Sequence, residues 1–269
     1  MSADERRIRF RELHERDQLF LIPNPWDVAS ARLLEACGAE ALATTSSGFA
    51  WSLGKLDQQV TRPELVAHVE ELVAATTVPL NVDSERCFPE EPGGVAETVR
   101  LLSEAGAAGC SIEDYDPDEG RVVGVGQAVD RVAEAAAAAH ATLPWMLLTA
   151  RAENHLYGVG DLDDTIARLV AYRDAGADVV YAPGLTDLDE IAAVVDAVGV
   201  PVNVLALVAG PPVPELARVG VRRVSTGGLL ASAAYGTLVR GVRELLGEGT
   251  STYAEARLTR EIQQSAFGR

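Results

Sequence analysis

RDAGADVVYAPG, residues 173–184, reads in twelve residues as a helix end, a glycine stop and a buried strand. Gly176 follows the last helical turn, where a left-handed residue closes a helix without steric cost. The run after it is apolar and rich in valine, as a strand buried on both faces requires. The same join recurs at residues 35–46 (EACGAEALATTS), 103–114 (SEAGAAGCSIED) and 217–228 (ARVGVRRVSTGG), with Gly38, Gly106 and Gly220 as the stops. Between these lie joins of a second kind: residues 76–84 (TTVPLNVDS), 141–151 (ATLPWMLLTAR) and 198–206 (VGVPVNVLA). There Pro79, Pro144 and Pro201 stand at the strand start, where a missing N–H is tolerated. A first strand, LFLIPN, precedes them all at residues 19–24. Helical segments such as DVASARLLEAC, PELVAHVEELVAAT and DDTIARLVAYRDAG separate the strands.

Strands that alternate with helices imply right-handed βαβ units and a parallel sheet. Eight such units in 269 residues predict an α/β fold of the (β/α)8 TIM-barrel type, which runs to about 250 residues as one domain. An open doubly wound sheet is the alternative. It would carry a glycine-rich dinucleotide loop after its first strand, and LFLIPN is followed by none. Residues 1–269 read as a single barrel domain, with a helical lead-in over 1–17 and an additional C-terminal helix over 250–269. The segment LLASAAYGTLVRGVRELL, after the eighth strand, is more apolar than one helix face needs. It predicts a homo-oligomer, a dimer or tetramer.

The net charge of −17 excludes a basic nucleic-acid-binding face and adhesion to an anionic membrane. No run of 18 apolar residues predicts a membrane span, and the charged N-terminus is no signal peptide. Three widely spaced cysteines without a CxxC pair fit a reducing cytoplasm. Lys55 is the only lysine and lies in a loop-like stretch, which argues against a lysine-imine mechanism.

In a barrel, chemistry collects where the strands end. Asp83 and Glu85 follow strand three, Glu113 ends strand four, and Asp57 lies in the loop after strand two. Converging carboxylates repel unless protons or a cation compensate them. Oxygen ligands without His or Cys favour a hard cation, Mg2+ or Mn2+. The alternative is that these acids cap the next helices. Arg151 ends an apolar strand, where it either neutralises Glu113 or Glu153 or binds a substrate carboxylate. In the second case Arg151→Ala loses affinity and keeps the fold. The turn of Ser46, Ser47 and Gly48 offers hydroxyls and N–H groups to a carboxylate. Trp26 after strand one and Asn203 on strand seven complete the candidate substrate contacts.

Taken together, NPWDVASARLLEACGAEALATTSSGFAWSLGKLD, NVDSERCF, GCSIEDY, LLTARAEN, GDLDDTIARL, DVVYAPGL, VNVLA and RRVSTGG resemble the isocitrate lyase/phosphoenolpyruvate mutase superfamily over nearly the whole chain. The resemblance implies a (β/α)8 barrel whose last helices pack on or swap with a neighbouring subunit, usually in a tetramer. It implies Mg2+ or Mn2+, held directly by Asp83 and through waters by Asp57, Glu85 and Glu113. It implies that Ser46 or Ser47, Gly48 and Arg151 grip the substrate carboxylate. The function implied is a cytoplasmic, metal-dependent lyase, cleaving a C–C bond or decarboxylating a small 2-oxo or 2-hydroxy acid through an enolate. A phosphonate- or phosphate-handling mutase, with phosphate at Gly227 and Gly228, and a non-catalytic 2-oxo-acid binder remain alternatives.

The chain also departs from that pattern. The Lys-Lys-Cys-Gly-His gating loop of the lyases is replaced by YDPDEGRVVGVG, without Cys, Lys or His. The glycine-rich turn after the metal aspartate reads DSERCFP, with Cys87 and Pro89 in glycine positions, which predicts a different backbone shape. Cys87 is a candidate displaced acid/base.

Overall fold

The computed structural model describes residues 1–141 and 143–268. Thr142, within the stretch 141–151, and Arg269, at the end of the expected C-terminal helix, lie outside the described residues. In chain order the elements are α1 (Ala3–Glu15), β1 (Phe20–Ile22), α2 (Val28–Ala36), β2 (Leu42–Ala43), α3 (Ser46–Ser52), α4 (Arg62–Ala75), β3 (Leu80–Asp83), α5 (Gly94–Glu104), β4 (Gly109–Glu113), β5 (Tyr115–Asp116) and β6 (Arg121–Val122). Then follow α6 (Val125–His140), β7 (Leu147–Arg151), α7 (Leu162–Asp174), β8 (Val179–Tyr181), α8 (Leu188–Val198), β9 (Val202–Leu205), α9 (Val213–Arg218), β10 (Arg223–Ser225), α10 (Leu229–Gly247), a 3-10 turn (Thr252–Ala256) and α11 (Arg260–Phe267).

All eight expected strands form one parallel sheet, in the order β1-β10-β9-β8-β7-β4-β3-β2. The two ends of that order meet, because the Ala43 N–H donates to Pro23 O at 3.2 Å and Asn24 Nδ2 donates to Thr44 O at 2.7 Å. The sheet is thus a nearly closed (β/α)8 barrel. Gly38, Gly106, Gly176 and Gly220 all have positive φ, as a helix stop requires.

Alternation along each strand sorts the side chains into two cores. Leu80, Val82, Cys110, Ile112, Leu148, Ala150, Val180, Val204 and Val224 face outwards and pack beneath the helices. The inward set is apolar only at the bottom, where Phe20, Ile22, Ala41, Ala43 and Leu147 meet Phe10 and Leu13 of α1. α1 starts in a reciprocal Ser2–Glu5 capping box and closes that end like a plug.

Two local expectations are corrected. Residues 46–52 form the helix α3 rather than a turn, because Thr45 caps it by accepting from the Gly48 N–H. The C-terminal helix is broken: a 3-10 turn ends at Ala256, and Thr259 caps a fresh helix whose Ala266 is buried. That last helix, α11, packs on α2 of the same chain. Among the described residues no helix is long and apolar enough to cross a membrane.

Candidate active site

The C-terminal mouth of the barrel opens on a cavity of about 170 Å3, lined by Ser46, Ser47, Asp57, Asp83, Arg151, Tyr181, Asn203 and residues deeper in the barrel. Register builds its centre. Glu113 on β4 lies directly beside Arg151 on β7, and Asp83 on β3 beside Ser111 on β4. Arg151 therefore reaches acids from both sides. Its Nη1 donates to Asp83 Oδ1 at 2.7 Å, Nη2 lies 3.0 Å from Glu113 Oε2, and Nε donates to Glu153 Oε1 at 2.8 Å. Burial works against the Arg151 charge, and Glu153, Glu113 and Asp83 more than offset it.

One guanidinium does not neutralise this mouth. Burial first, and then the neighbouring acids, raise the pKa of Glu113 well above the carboxylate range. Glu85 is pushed up to about 8, by burial and then by Asp83 and Asp57. The Asp57 residue is exposed, yet its carboxyl lines the cavity, where desolvation and then Asp83 raise its pKa. Asp83 accepts from the Ser46 N–H at 3.0 Å, and Gln58 Nε2 donates to Glu113 Oε1 at 2.8 Å. None of these acids caps the helix that follows it, since α4 and α5 take Thr61 and Gly93 as their N-caps, but Asp83 accepts the first N–H of α3.

Glu85 lies off the strand. β3 ends at Asp83, and Glu85 sits beyond it at φ +50°, so strand alternation does not aim its side chain. Cys87 and Phe88 follow at φ +60° and +47°. The turn DSERCFP thus adopts the left-handed backbone that glycine favours, and Cys87 bears the steric cost. The thiol is fully buried, within 3.4 Å of Ser84 Oγ, and burial pushes its pKa up to about 12. It does not line the mouth, so the structure does not support Cys87 as the acid/base.

The other expected contacts divide. Ser46 and Ser47 line the cavity, but Thr45 already takes the Gly48 N–H. A Cβ on Gly48 would lie 2.7 Å from Thr45 Cγ2, 3.0 Å from Trp26 Cβ and 3.2 Å from Ala231 Cβ, so Gly48 serves close packing. Gly48→Ala is expected to cost about 1–3 kcal/mol of stability in a urea melt. An unchanged midpoint would return Gly48 to a substrate role. Trp26 does not line the cavity; its ring packs 6.2 Å from that of Tyr235. Asn203 lines it, with both amide ends engaged by Ser225 and Arg223. Asn24 Oδ1 accepts the N–H groups of Thr226 and Gly227, so of the two expected phosphate contacts the Gly227 N–H is already engaged. Lys55 is paired with Glu64 at 2.5 Å, away from the mouth.

The segment that replaces the gating loop folds as the hairpin β5–β6. Arg86 anchors it through Asp116 at 2.7 Å and Asp118 at 2.5 Å, and Tyr115 stacks on Tyr157 with ring centres 4.1 Å apart. Sequence reading missed Asn81, Ser111, Thr149 and Arg223, which line the cavity. A signal existed: they alternate with apolar residues at period two, as one polar face of a strand does.

The phosphoenolpyruvate phosphomutase family model matches residues 10–246. The chain belongs to the isocitrate lyase/phosphoenolpyruvate mutase superfamily. A solved structure from Burkholderia cenocepacia J2315, named only as a candidate lyase/mutase, is 50% identical, with a TM-score of 0.91 over 97% of this chain and 95% of that one. An uncharacterised protein of Mycobacterium tuberculosis is 35% identical over 230 residues, 83% of each chain. The oxaloacetate decarboxylase of Paraburkholderia xenovorans is 32% identical over 221 residues, 79% of this chain and 71% of that enzyme.

The superfamily member described here stores a pH dependence at its acids. Folded Glu85 keeps its proton to about pH 8, whereas unfolded it ionises near 4.5. The folded state then binds more protons, so stability falls as pH rises through that window. Below about pH 6.5 the buried His14 and His68, held neutral with pKa values of about 3 and 4, oppose this. The clean window is therefore pH 6.5–8. In EDTA the unfolding free energy is expected to fall across it, by up to about 1.4 kcal/mol per pH unit for one proton, and the melting temperature with it. Glu85→Gln should flatten the slope. A wild-type midpoint constant from 6.5 to 8 would mean that Glu85 ionises normally.

Proposed function

We propose that the chain is a Mg2+- or Mn2+-dependent carbon–carbon lyase, cleaving or decarboxylating a small 2-oxo or 2-hydroxy carboxylic acid. The observation that carries this reading is the convergence of Asp57, Asp83 and Arg151 on one cavity at the barrel mouth, with Glu113 paired to Arg151 behind them. The identity to an oxaloacetate decarboxylase supports the same class of reaction.

The donor set fits a hard cation. It is all oxygen, and burial first and then the neighbouring acids raise the pKa of Glu85 and Glu113 despite Arg151. Among the described residues no three His, Cys, Asp or Glu side chains are grouped as a cage. Mg2+ itself keeps several waters and is bound through one or two carboxylates. Asp83 would hold the ion directly, and Asp57, Glu85 and Glu113 would hold its waters. When bound, the ion supplies Lewis acidity at the 2-oxo group, favouring an enolate.

The chain's own groups do the rest. Arg151 holds Asp83 and Glu113 in place from one side. The Ser46 N–H holds the other Asp83 oxygen. Ser46 and Ser47 bring hydroxyls to the substrate carboxylate. The stacked Tyr115–Tyr157 pair and the β5–β6 hairpin restrict water where the relatives' gating loop is missing. Leu238, Val242, Leu245 and Leu246 of α10 are exposed, which supports a homo-oligomer covering that face. A panel of 2-oxo and 2-hydroxy acids, run with Mg2+ and with EDTA, tests the reading. Metal-dependent release of CO2 or of a smaller oxo acid supports it. Saturable binding without turnover across the panel would instead make the chain a non-catalytic binder.

A further inference from the structure

The mouth cavity continues below the acids, and its floor carries a second guanidinium. Arg223 opens β10 and is 3% exposed. Its neighbour Val224 packs outwards, so Arg223 points into the barrel. Nε donates to Asn203 Oδ1 at 2.8 Å, Nη2 donates to Thr149 Oγ1 at 3.0 Å, and Nη1 lies 3.3 Å from His14 Nε2. Thr149 stands two residues before Arg151 on β7, which sets the two guanidinium levels about 7 Å apart.

None of the three partners is an acid. The His14 ring is neutral, its pKa lowered by burial and then by Arg223 itself. Three contacts leave two of the five N–H donors of a guanidinium unused. Arg168 meets Asp114, and Arg86 meets Asp116. Arg6 and Arg7 pair with no carboxylate either, but they end on backbone carbonyls and the Ser103 hydroxyl and do not line the cavity. A buried cation without a counter-charge is costly and calls for an anion. Of the two arginines lining the cavity, Arg151 is already occupied by three carboxylates, so Arg223 is the one with charge to offer. The same cavity is lined by the Ser111 and Ser225 hydroxyls and by Asn81, whose buried Oδ1 accepts no hydrogen bond and so calls for a donor on the guest. This floor is built for a polar guest.

We propose that Arg223, with Asn203, Thr149 and Ser225, forms an anion subsite at the barrel floor that takes the far carboxylate of a dicarboxylic substrate. The reacting carbons then lie at the level of Asp83 and Arg151, and the tail is held from below. Monocarboxylic acids leave the floor unfilled and bind more weakly. The inference rests on the reading of the mouth as a site for small acids, and its test is independent of turnover.

EDTA-treated protein is titrated calorimetrically with sodium succinate and with sodium acetate, as wild type, Arg223→Gln and Arg223→Lys. Crystals are soaked in each salt and in sodium bromide, whose anomalous scattering locates a free inorganic anion. Succinate is expected to bind wild type at least tenfold more tightly than acetate, with one carboxylate on Arg223. Arg223→Gln should remove that preference, and Arg223→Lys should keep part of it. Equal succinate affinity in wild type and a folded Arg223→Gln overturns the proposal and leaves Arg223 as a tie between α1 and the barrel. Bromide on Arg223 with succinate excluded overturns the carboxylate assignment. Should Arg223→Gln fail to fold, Thr149→Val, which removes one anchor of the guanidinium, is read in its place. A severalfold loss of succinate affinity supports the subsite, and an unchanged affinity overturns it. Failure here leaves the lyase reading standing, and an acid panel without turnover leaves the subsite standing.

Discussion

Asp83→Ala is expected to abolish Mn2+ binding in calorimetric titration and to lower metal-dependent turnover by about three orders of magnitude or more. A cation at this mouth contributes several kcal/mol of charge stabilisation, and each factor of ten corresponds to about 1.4 kcal/mol. Asp83 is the carboxylate that β3 delivers to the centre of the cavity, between the Ser46 N–H and Arg151. From sequence the same substitution should leave metal-free stability unchanged or raised, because one repulsive charge disappears. The structure revises that expectation. Alanine leaves the Ser46 N–H and one arm of Arg151 without their acceptor, a loss of about 1–3 kcal/mol, only partly offset by relief of Asp57 and Glu85. Asp83→Asn separates the effects: it keeps an acceptor for Ser46 and still loses the metal. Equal Mn2+ affinity in wild type and both variants would sink the metal assignment.

Arg151→Ala is expected to destabilise the fold by about 3–5 kcal/mol at pH 8, because it leaves several buried carboxylates without their cation. Sequence alone suggested lost affinity in an intact fold. The contacts to Asp83, Glu113 and Glu153 make the side chain a keystone of the mouth first. The sign of the pH effect follows. Without Arg151 the Glu113 and Glu153 carboxyls, already raised by burial, rise further. Their protons are then kept in the folded state and released on unfolding, so the variant loses most stability at high pH and least near pH 5. Urea denaturation at pH 5 and pH 8 reads this directly. Full stability at pH 8 together with lost binding of a small carboxylate would restore Arg151 to a purely substrate-holding role.

The two revisions share a cause. A residue's type and its place at a strand end are visible in sequence, and so Asp57, Asp83, Glu113 and Arg151 were recoverable as one cluster. What each side chain touches depends on the register between strands far apart in the chain. Arg151 faces Glu113 because β4 and β7 pair in parallel across α6 and the β5–β6 hairpin. No local pattern encodes that pairing. Cys87 failed as a candidate for a related reason. Reactivity follows exposure and nearby charge, and burial beneath the turn decides both.

The sequence by itself determined the architecture: eight strands, their glycine and proline joins, their order along the barrel, and the superfamily. Those features are local, since helix stops, β-branched runs and proline at strand starts act over a few residues. It also determined that the mouth is acidic. Only the tertiary structure decided that Ser46–Ser52 is a helix with its first N–H turned to Asp83. It alone decided that Glu85 leaves the strand in a left-handed turn, and that Gly48 is a packing contact. It alone brought Arg223, Asn203, Thr149 and His14, from four distant segments, into one buried polar floor. Closing a sheet on itself is what does this: the inward faces of all eight strands come to share one axis, where hydrogen-bond partners are set by strand tilt and register.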